Sequence, residues 1–188
     1  MIYHHRGAYL MALGTVAGWQ VPQAPSYLSV VPLFHCNGWG HPWMMAIMGG
    51  KVTFTRTPDV GSILAAITAE KVTHFGSAPV ILQMLAENGG DTRFDPPVQA
   101  MTAGAPPPPA VLEKTAAMGM EVMHVYGLTE TYGHISQALW NPDWDALDAA
   151  TQAEYRARQG VAFPMVEAVS VINRDSGQPV PRDGETQG

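Results

Sequence analysis

The chain has 188 residues, of which 46% are hydrophobic and only 14% charged, and its formal net charge is −6. This apolar content excludes an intrinsically disordered chain, and the negative charge argues against a partner such as nucleic acid or an anionic membrane surface. No run of about 18 uninterrupted apolar residues occurs, so no transmembrane helix is predicted.

Short strands and helices alternate along the first two thirds of the chain. Runs rich in apolar and β-branched residues are typical of buried strands, and segments opened by Pro or Asp with apolar residues three to four apart are typical of helices. The predicted strands cover 27–33, 51–55, 72–77, 98–102 and 121–126, and the predicted helices cover 39–48, 79–86 and 109–118, with a further helix opening at 58–59. Such units imply parallel pairing. We therefore predict an α/β fold, with helices on both faces of a mostly parallel sheet.

The pattern changes after about Trp140. A predicted turn at 141–144 precedes a short polar helix over 148–158, a strand-like stretch over 163–173 and a hairpin turn over 175–179. We predict that residues 1–139 form the parallel subdomain, and that residues 140–188 begin a second, more antiparallel one.

Four loops follow the carboxyl ends of predicted strands, where ligands bind in open α/β sheets. These loops cover residues 32–40, 76–79, 102–109 and 126–133. Because parallel strands end at the same edge of a sheet, we expect the four loops to converge on one site.

The loop that begins at Tyr126 is the most informative. It carries an aromatic ring, Gly127, the hydroxyl of Thr129 and the carboxylate of Glu130 within five positions. A ring for stacking, a hydroxyl for a phosphate oxygen and a carboxylate for Mg²⁺ are what a nucleoside triphosphate needs. The same residues also fit an ordinary strand end followed by a capped helix start.

The loop over 102–106 (Thr-Ala-Gly-Ala-Pro) consists of small residues, so its backbone can approach a flat ring closely. It also fits a tight loop before a helix that begins with Pro. A third interpretation, a polyproline ligand for a partner, is disfavoured because a helical pattern resumes at Val111.

The segment over 32–41 contains His35, Cys36 and His41. A zinc site is disfavoured because adjacent residues rarely ligate one metal, and no base is placed beside Cys36 to make it a nucleophile. The segment fits either the lining of an apolar pocket or a packed core loop. Cys36 is the only cysteine, which excludes an intramolecular disulfide, and no signal peptide is recognisable. We therefore predict a cytoplasmic protein.

Four segments, in order along the chain, resemble the adenylate-forming acyl-CoA synthetases, the AMP-binding family. They are residues 3–7 (Tyr-His-His-Arg-Gly), 32–35 (Pro-Leu-Phe-His), 102–106 and 126–130 (Tyr-Gly-Leu-Thr-Glu). The stretches at 140–144 and 158–161 are similar to the branch of fatty-acid and medium-chain acyl-CoA ligases.

The resemblance implies a two-step reaction. A carboxylic acid and ATP give an acyl-adenylate and pyrophosphate, and the thiol of CoA then displaces AMP. The implied nucleotide-binding residues are Gly104, Ala105, Pro106, Tyr126, Gly127 and Thr129.

The implied catalytic residues are Thr129, which would contact the α-phosphate, Glu130, which would hold Mg²⁺, and His35, which would lie near the acyl carboxylate. The implied acyl pocket is shaped by Phe34, His35, Gly38 and Trp39.

The family's phosphate loop would precede Met1, and its later ribose-binding Asp and small C-terminal domain would follow Gly188. We therefore expect a central fragment that is inactive as a ligase by itself and that self-associates through newly exposed apolar faces. Two alternatives stay open. One is an adenylating enzyme of another kind, luciferase-like or specific for an aryl or amino acid, and the other is a non-catalytic α/β interaction module that uses the surface around Trp39, Trp43 and Met44.

Overall fold

The computed structural model describes residues 1–183 and 186–188, so Gly184 and Glu185 of the predicted second subdomain lie outside it. Its helices are α1 (His5–Gly18), α2 (Cys36–Trp39), α3 (His41–Met48), α4 (Val60–Ala69), α5 (Pro79–Asn88), α6 (Pro109–Ala117) and α7 (Ala149–Ala157). Its strands are β1 (Ser26–Ser29), β2 (Lys51–Phe54), β3 (His74–Ser77), β4 (Val98–Thr102), β5 (Met120–Leu128), β6 (Gly133–Gln137) and β7 (Val161–Ala162).

The strands form one seven-stranded sheet in the order β2-β1-β3-β4-β5-β6-β7. The first five strands in this order pair in parallel, and β6 and β7 add antiparallel pairs at the far edge. The predicted α/β class with a mostly parallel sheet and an antiparallel end is thus confirmed. The boundary at residues 139 and 140 stays a prediction.

Alternate residues of the central strands pack against helices on opposite faces. On one face, Leu28, Phe75 and Ala100 belong to a core shared with α4, α5 and α6. On the other face, Tyr27 and Met101 belong to a core shared with α3 and with the segment that follows α1. With both faces covered, ligands have access at the sheet's carboxyl edge.

Helix starts follow the local chemistry in most cases. Asp59 caps α4 by accepting the backbone N–H of Ser62, and Asp148 caps α7 in the same manner. Pro79 and Pro109 stand in the first turns of α5 and α6, where a missing N–H costs nothing. The predicted turn near 175–179 is present, and it closes a bridge between Ile172 and Pro179.

Two predictions of secondary structure were wrong. The strand-like stretch over 163–173 is not a strand, since β7 ends at Ala162 and only Ile172 forms an isolated bridge. The helix predicted over 39–48 begins at His41, because Cys36, Asn37 and Trp39 adopt φ values of 47°, 49° and 58°. These values, with 61° at Gly38, make the short element α2 a left-handed turn, which a right-handed helix cannot include.

Candidate active site

A cavity of about 640 Å³ lies at the carboxyl edge of the sheet. Its walls come from the four predicted loops, which meet there as expected. We call it the central cavity. Residues that line it include Pro32, His35, Cys36, Trp39, Ser77, Ala103, Gly104, Ala105, Pro106, His124, Tyr126, Gly127, Thr129, His134 and Gln159.

The first wall of the central cavity is formed by strand ends. The ring of Tyr126, which is 42% exposed, borders the same space as the 104–106 loop. Gly104 has a φ of +97°, and a Cβ there would meet no atom within 4 Å, so the backbone is accessible to a flat ligand. This arrangement leaves a slot between an aromatic face and a small-residue backbone.

Gly127 is required by packing in this wall. A Cβ at that position would lie 1.7 Å from the carbonyl oxygen of Gly133, because β5 and β6 approach closely where their register shifts. A side chain at this position would therefore separate the two strands.

Beyond Gly127, residues Thr129–Thr131 form a single 3-10 turn. Thr129 lines the central cavity, whereas Glu130 is exposed and stands outside the lining. The Thr131 hydroxyl accepts the backbone N–H of Leu128 at 2.9 Å and lies 2.7 Å from the carbonyl oxygen of Gly133. The turn is therefore fastened to both β5 and β6.

The second wall is the left-handed turn after β1. His35 and Trp39 line the central cavity, and Trp39 is only 7% exposed. Phe34 is 90% exposed, and neither Phe34 nor Gly38 belongs to the lining. Of the four residues expected to shape an acyl pocket, the structure brings two to the cavity.

Buried rings support this second wall from behind. His41 is fully buried, 2.6 Å from the Tyr27 hydroxyl through its Nδ1 atom, and its ring lies edge-on to Trp39. His134, which lines the central cavity, contacts the Thr15 hydroxyl at 3.1 Å. Burial lowers the pKa of His134 to about 3 and holds the pKa of His41 well below its ordinary value, with the neighbouring histidines adding to the shift of His41. Both imidazoles are therefore neutral at pH 7.

Three lining residues were not singled out from the sequence, although Ser77 lies in the predicted 76–79 loop. Ser77 is buried at the end of β3, and its hydroxyl has no hydrogen-bond partner among the residues that the structure describes. The Nδ1 atom of His124 lies 2.8 Å and 3.0 Å from the carbonyl oxygens of Ala157 and Arg158. Because carbonyls only accept, Nδ1 carries the proton and Nε2 keeps its lone pair. Gln159 enters the lining directly after these carbonyls.

A signal for one of these residues was present in the sequence. Ser77 stands at the end of β3, in register with Thr102 and, on the next strand, with His124, whereas β5 continues from His124 to Leu128. A polar residue at the end of a buried parallel strand could have been selected, because ligands bind at such strand ends. Gln159 could not, since its position depends on the path of the chain from 140 to 158.

Side chains that could ligate a metal ion do not form clusters in the described part of the chain. Within residues 1–183 and 186–188, no group of three or more His, Cys, Asp or Glu side chains is placed to hold a metal ion. The same residues contain no helix long and apolar enough to cross a bilayer.

Comparison with known proteins agrees with the fold and with the motifs. The family model described as "AMP-binding enzyme" matches residues 1–188. The acetate/butyrate–CoA ligase AAE7 (peroxisomal) of Arabidopsis thaliana is 42% identical over 191 residues, covering 100% of this chain and 34% of that protein. The 2-methylpropanoate–CoA ligase CCL4 of Humulus lupulus is 42% identical over 188 residues, with the same coverage of 100% and 34%. The chain thus spans about a third of the length of these relatives.

Solved structures share the fold at lower identity. The o-succinylbenzoate-CoA synthetase of Bacillus subtilis, solved with ATP and magnesium, superposes with a TM-score of 0.76 at 22% identity, covering 94% of this chain and 34% of that one. The N-terminal domain of FACL13 from Mycobacterium tuberculosis gives a TM-score of 0.77 at 22% identity, covering 95% and 43%. Since the family model matches every residue, the chain belongs to the AMP-binding enzyme family.

Proposed function

We propose that the chain is the nucleotide-binding part of an ATP-dependent acyl-CoA ligase. The reaction joins a carboxylate to AMP with release of pyrophosphate, and the thiol of CoA then displaces AMP. The observation that carries this proposal is the meeting of Tyr126, the 104–106 loop and Thr129 in the central cavity. The two CoA ligases that are 42% identical to the chain support it.

In this proposal, adenine occupies the slot between Tyr126 and the 104–106 loop. The open space at Gly104 and the partly exposed ring of Tyr126 fit a flat base. The free lone pair on Nε2 of His124 is a hydrogen-bond acceptor at the cavity, suited to an amino group on the ligand. Gly127 keeps the backbone close enough to β6 for Tyr126 to stay in place.

Thr129 and Glu130 form the polar side of the site. The hydroxyl of Thr129 is suited to donate to an α-phosphate oxygen. Glu130 supplies one exposed carboxylate beside it. Mg²⁺ in nucleotide sites is commonly held by one or two carboxylates together with phosphate oxygens and water, so a single Glu fits this donor set without a cluster of protein ligands. The ion supplies charge neutralisation at the phosphates when it is bound.

We assign the acid to the second wall, between His35 and Trp39. Both residues line the central cavity on the side of Thr129, since Cys36, which lies between them in sequence, contacts Thr129. The matched relatives are named for acetate or butyrate and for 2-methylpropanoate. We therefore propose a short aliphatic acid as the substrate, with ATP and CoA as co-substrates.

Two further properties belong to this proposal. A cytoplasmic location is retained as a hypothesis, and the name of the Arabidopsis relative gives a peroxisomal alternative. Self-association through exposed apolar side chains, such as Phe54 on the edge strand β2, also stays a prediction.

Calorimetric titration with a nonhydrolysable butyryl-adenylate analogue tests the proposal. We expect saturable binding that Tyr126→Ala weakens at least about fivefold, because stacking on an aromatic ring contributes about 1–3 kcal/mol per base. Tyr9→Ala is the matched control, since Tyr9 is an exposed tyrosine of α1 outside the cavity lining. Equal affinity of both variants, or no binding by the unmodified chain, would overturn the proposal.

A further inference from the structure

Three separate segments meet at Thr129. The Tyr3 hydroxyl donates to the carbonyl oxygen of Thr129 at 2.7 Å. The Cys36 thiol donates to the Thr129 hydroxyl at 3.3 Å and lies 3.4 Å from the Tyr3 hydroxyl oxygen. The N-terminal segment, the left-handed turn and the 129–131 turn are thereby joined through side chains.

The count of protons at this junction leaves one donor free. Tyr3 has a single hydroxyl proton, which goes to the Thr129 carbonyl, and the thiol proton of Cys36 goes to the Thr129 hydroxyl oxygen. The proton of the Thr129 hydroxyl then remains available to an acceptor in the central cavity. Burial, together with the neighbouring Cys36, raises the pKa of Tyr3, so its hydroxyl stays protonated at physiological pH.

Tyr132 fastens the same turn from its other end. Its ring stacks on Tyr3 with centroids 4.4 Å apart, and its hydroxyl accepts the backbone N–H of His4 at 3.2 Å. The ring also covers Gly7, where a Cβ would come within 2.2 Å of Tyr132 Cζ. We call Tyr3 and Tyr132 the tyrosine clasp.

The turn needs such a clasp because its own packing is weak. None of the residues Thr129–Thr131 is buried. Tyr132 itself has a φ of 66°, a left-handed conformation that is strained for a residue with a side chain. Contacts with the N-terminal segment are what offset that strain.

We propose that Tyr3 and Tyr132 are positioning residues that hold Thr129 and Glu130 in their ligand-binding arrangement. The clasp itself stands on the contacts above, and only its ligand, a nucleoside triphosphate with a divalent cation, rests on the proposed function. Neither tyrosine is assigned to contact the nucleotide.

The reactivity of Cys36 tests the clasp without any ligand, because Cys36 is the only thiol in the chain. Gly7→Ala should push the Tyr132 ring away while leaving α1 intact, since Ala favours a helix. Gly61→Ala is the matched control, because the nearest atom to a Cβ there lies 3.4 Å away, an ordinary contact.

With an aromatic disulfide as the thiol reagent, we expect Gly7→Ala and Tyr132→Ala to speed modification of Cys36 about fivefold, the factor that corresponds to about 1 kcal/mol. Gly61→Ala should match the unmodified chain, and Tyr132→Phe, which keeps the stacked ring, should restore most of the protection. Unchanged thiol reactivity in both clasp variants would overturn the clasp.

Ligand binding tests the positioning role of the tyrosine clasp. We expect Tyr132→Ala to weaken Mg²⁺-ATP about fivefold, while the affinity for adenosine stays unchanged because the Tyr126 slot is untouched. Equal weakening of both ligands, or of neither, would refute the positioning role. If the unmodified chain binds neither ligand, the proposed function fails, whereas the thiol measurement still decides whether the clasp exists.

Discussion

The two walls of the central cavity are built in different ways. The strand-end wall takes its shape from the backbone of β4, β5 and β6: Tyr126 is paired with Ser136 of β6, and the 104–106 loop follows the end of β4 at Thr102. The wall after β1 is a left-handed turn, in which Cys36, Asn37 and Trp39 all have positive φ.

What stabilises the second wall is tertiary packing. Trp39 packs on His41, which in turn lies against Tyr27 and His134. Strained backbone of this kind persists only when the surrounding structure holds it. We therefore expect the strand-end wall to respond to changes of the backbone, and the left-handed wall to changes of buried side chains.

The largest expected loss of stability is that caused by Gly127→Ala in the strand-end wall. Its Cβ would lie 1.7 Å from a backbone oxygen, which cannot move without parting β5 from β6. We expect a loss of about 3 kcal/mol or more in the free energy of unfolding, measured with urea. Gly90→Ala, at a positive φ with open space around it, should cost only about 1 kcal/mol. Similar losses in both variants would refute the claim of a close backbone approach.

The second comparison is between the stability losses caused by removing the aromatic residue of each wall. Trp39→Ala should cost about 3 kcal/mol, because Trp39 is 7% exposed and supports the left-handed turn. Tyr126→Ala should cost about 0.5 kcal/mol or less, since that ring is 42% exposed. Thermal and urea unfolding of the two variants measure the difference, and an equal cost would contradict the division between the walls.

Acid should lower the free energy of unfolding through buried imidazoles near the left-handed wall: His134 of β6, and His74 of β3, whose charge would act on His41. Burial lowers the pKa of His74 to about 4 and of His134 to about 3. The unfolded chain, with histidine pKa values of about 6.5, therefore binds more protons below that pH, and stability falls by about 1.4 kcal/mol per pH unit for each such histidine.

Urea unfolding at several pH values between about 6.5 and 4 measures this slope, where the shifted histidines are protonated only in the unfolded chain. His134→Gln should reduce the slope by about one proton, and His5→Gln, at an exposed position, should leave it unchanged. An unaltered slope in His134→Gln would show that this imidazole is not held neutral by burial.

The smallest expected difference between two variants concerns the left-handed turn alone. Asn37 is exposed, with φ 49° and ψ 43°, a conformation that Asn and Gly tolerate better than Ala. Asn37→Ala should lower the free energy of unfolding by about 1 kcal/mol, and Asn37→Gly should change it by only a few tenths. A stabilising Asn37→Ala would mean that the turn is not left-handed in solution.

The strand-end wall was largely predictable from sequence. Strand β4 has the bounds that its sequence pattern predicts, and Tyr126, Gly127 and Thr129, which the sequence singles out, line the central cavity. Local patterns are enough there because each parallel strand places its following loop at the same edge.

The left-handed wall and the clasp were not predictable in this way. A right-handed helix was predicted from Trp39 because positive φ at Cys36 and Trp39 has no local signal. Helix α1 was missed because its cap is His4, whose Nδ1 accepts the N–H of Gly7 in place of the usual Ser, Thr, Asp or Asn. Contacts between segments more than 100 residues apart, such as Tyr3 with Thr129, cannot be derived from local sequence patterns.

A crystal structure of the chain with AMP tests the central claim most directly. The account predicts adenine between the Tyr126 ring and the 104–106 loop, with the phosphate beside the Thr129 hydroxyl. AMP bound outside the central cavity, or in it with the base turned away from Tyr126, would contradict the account.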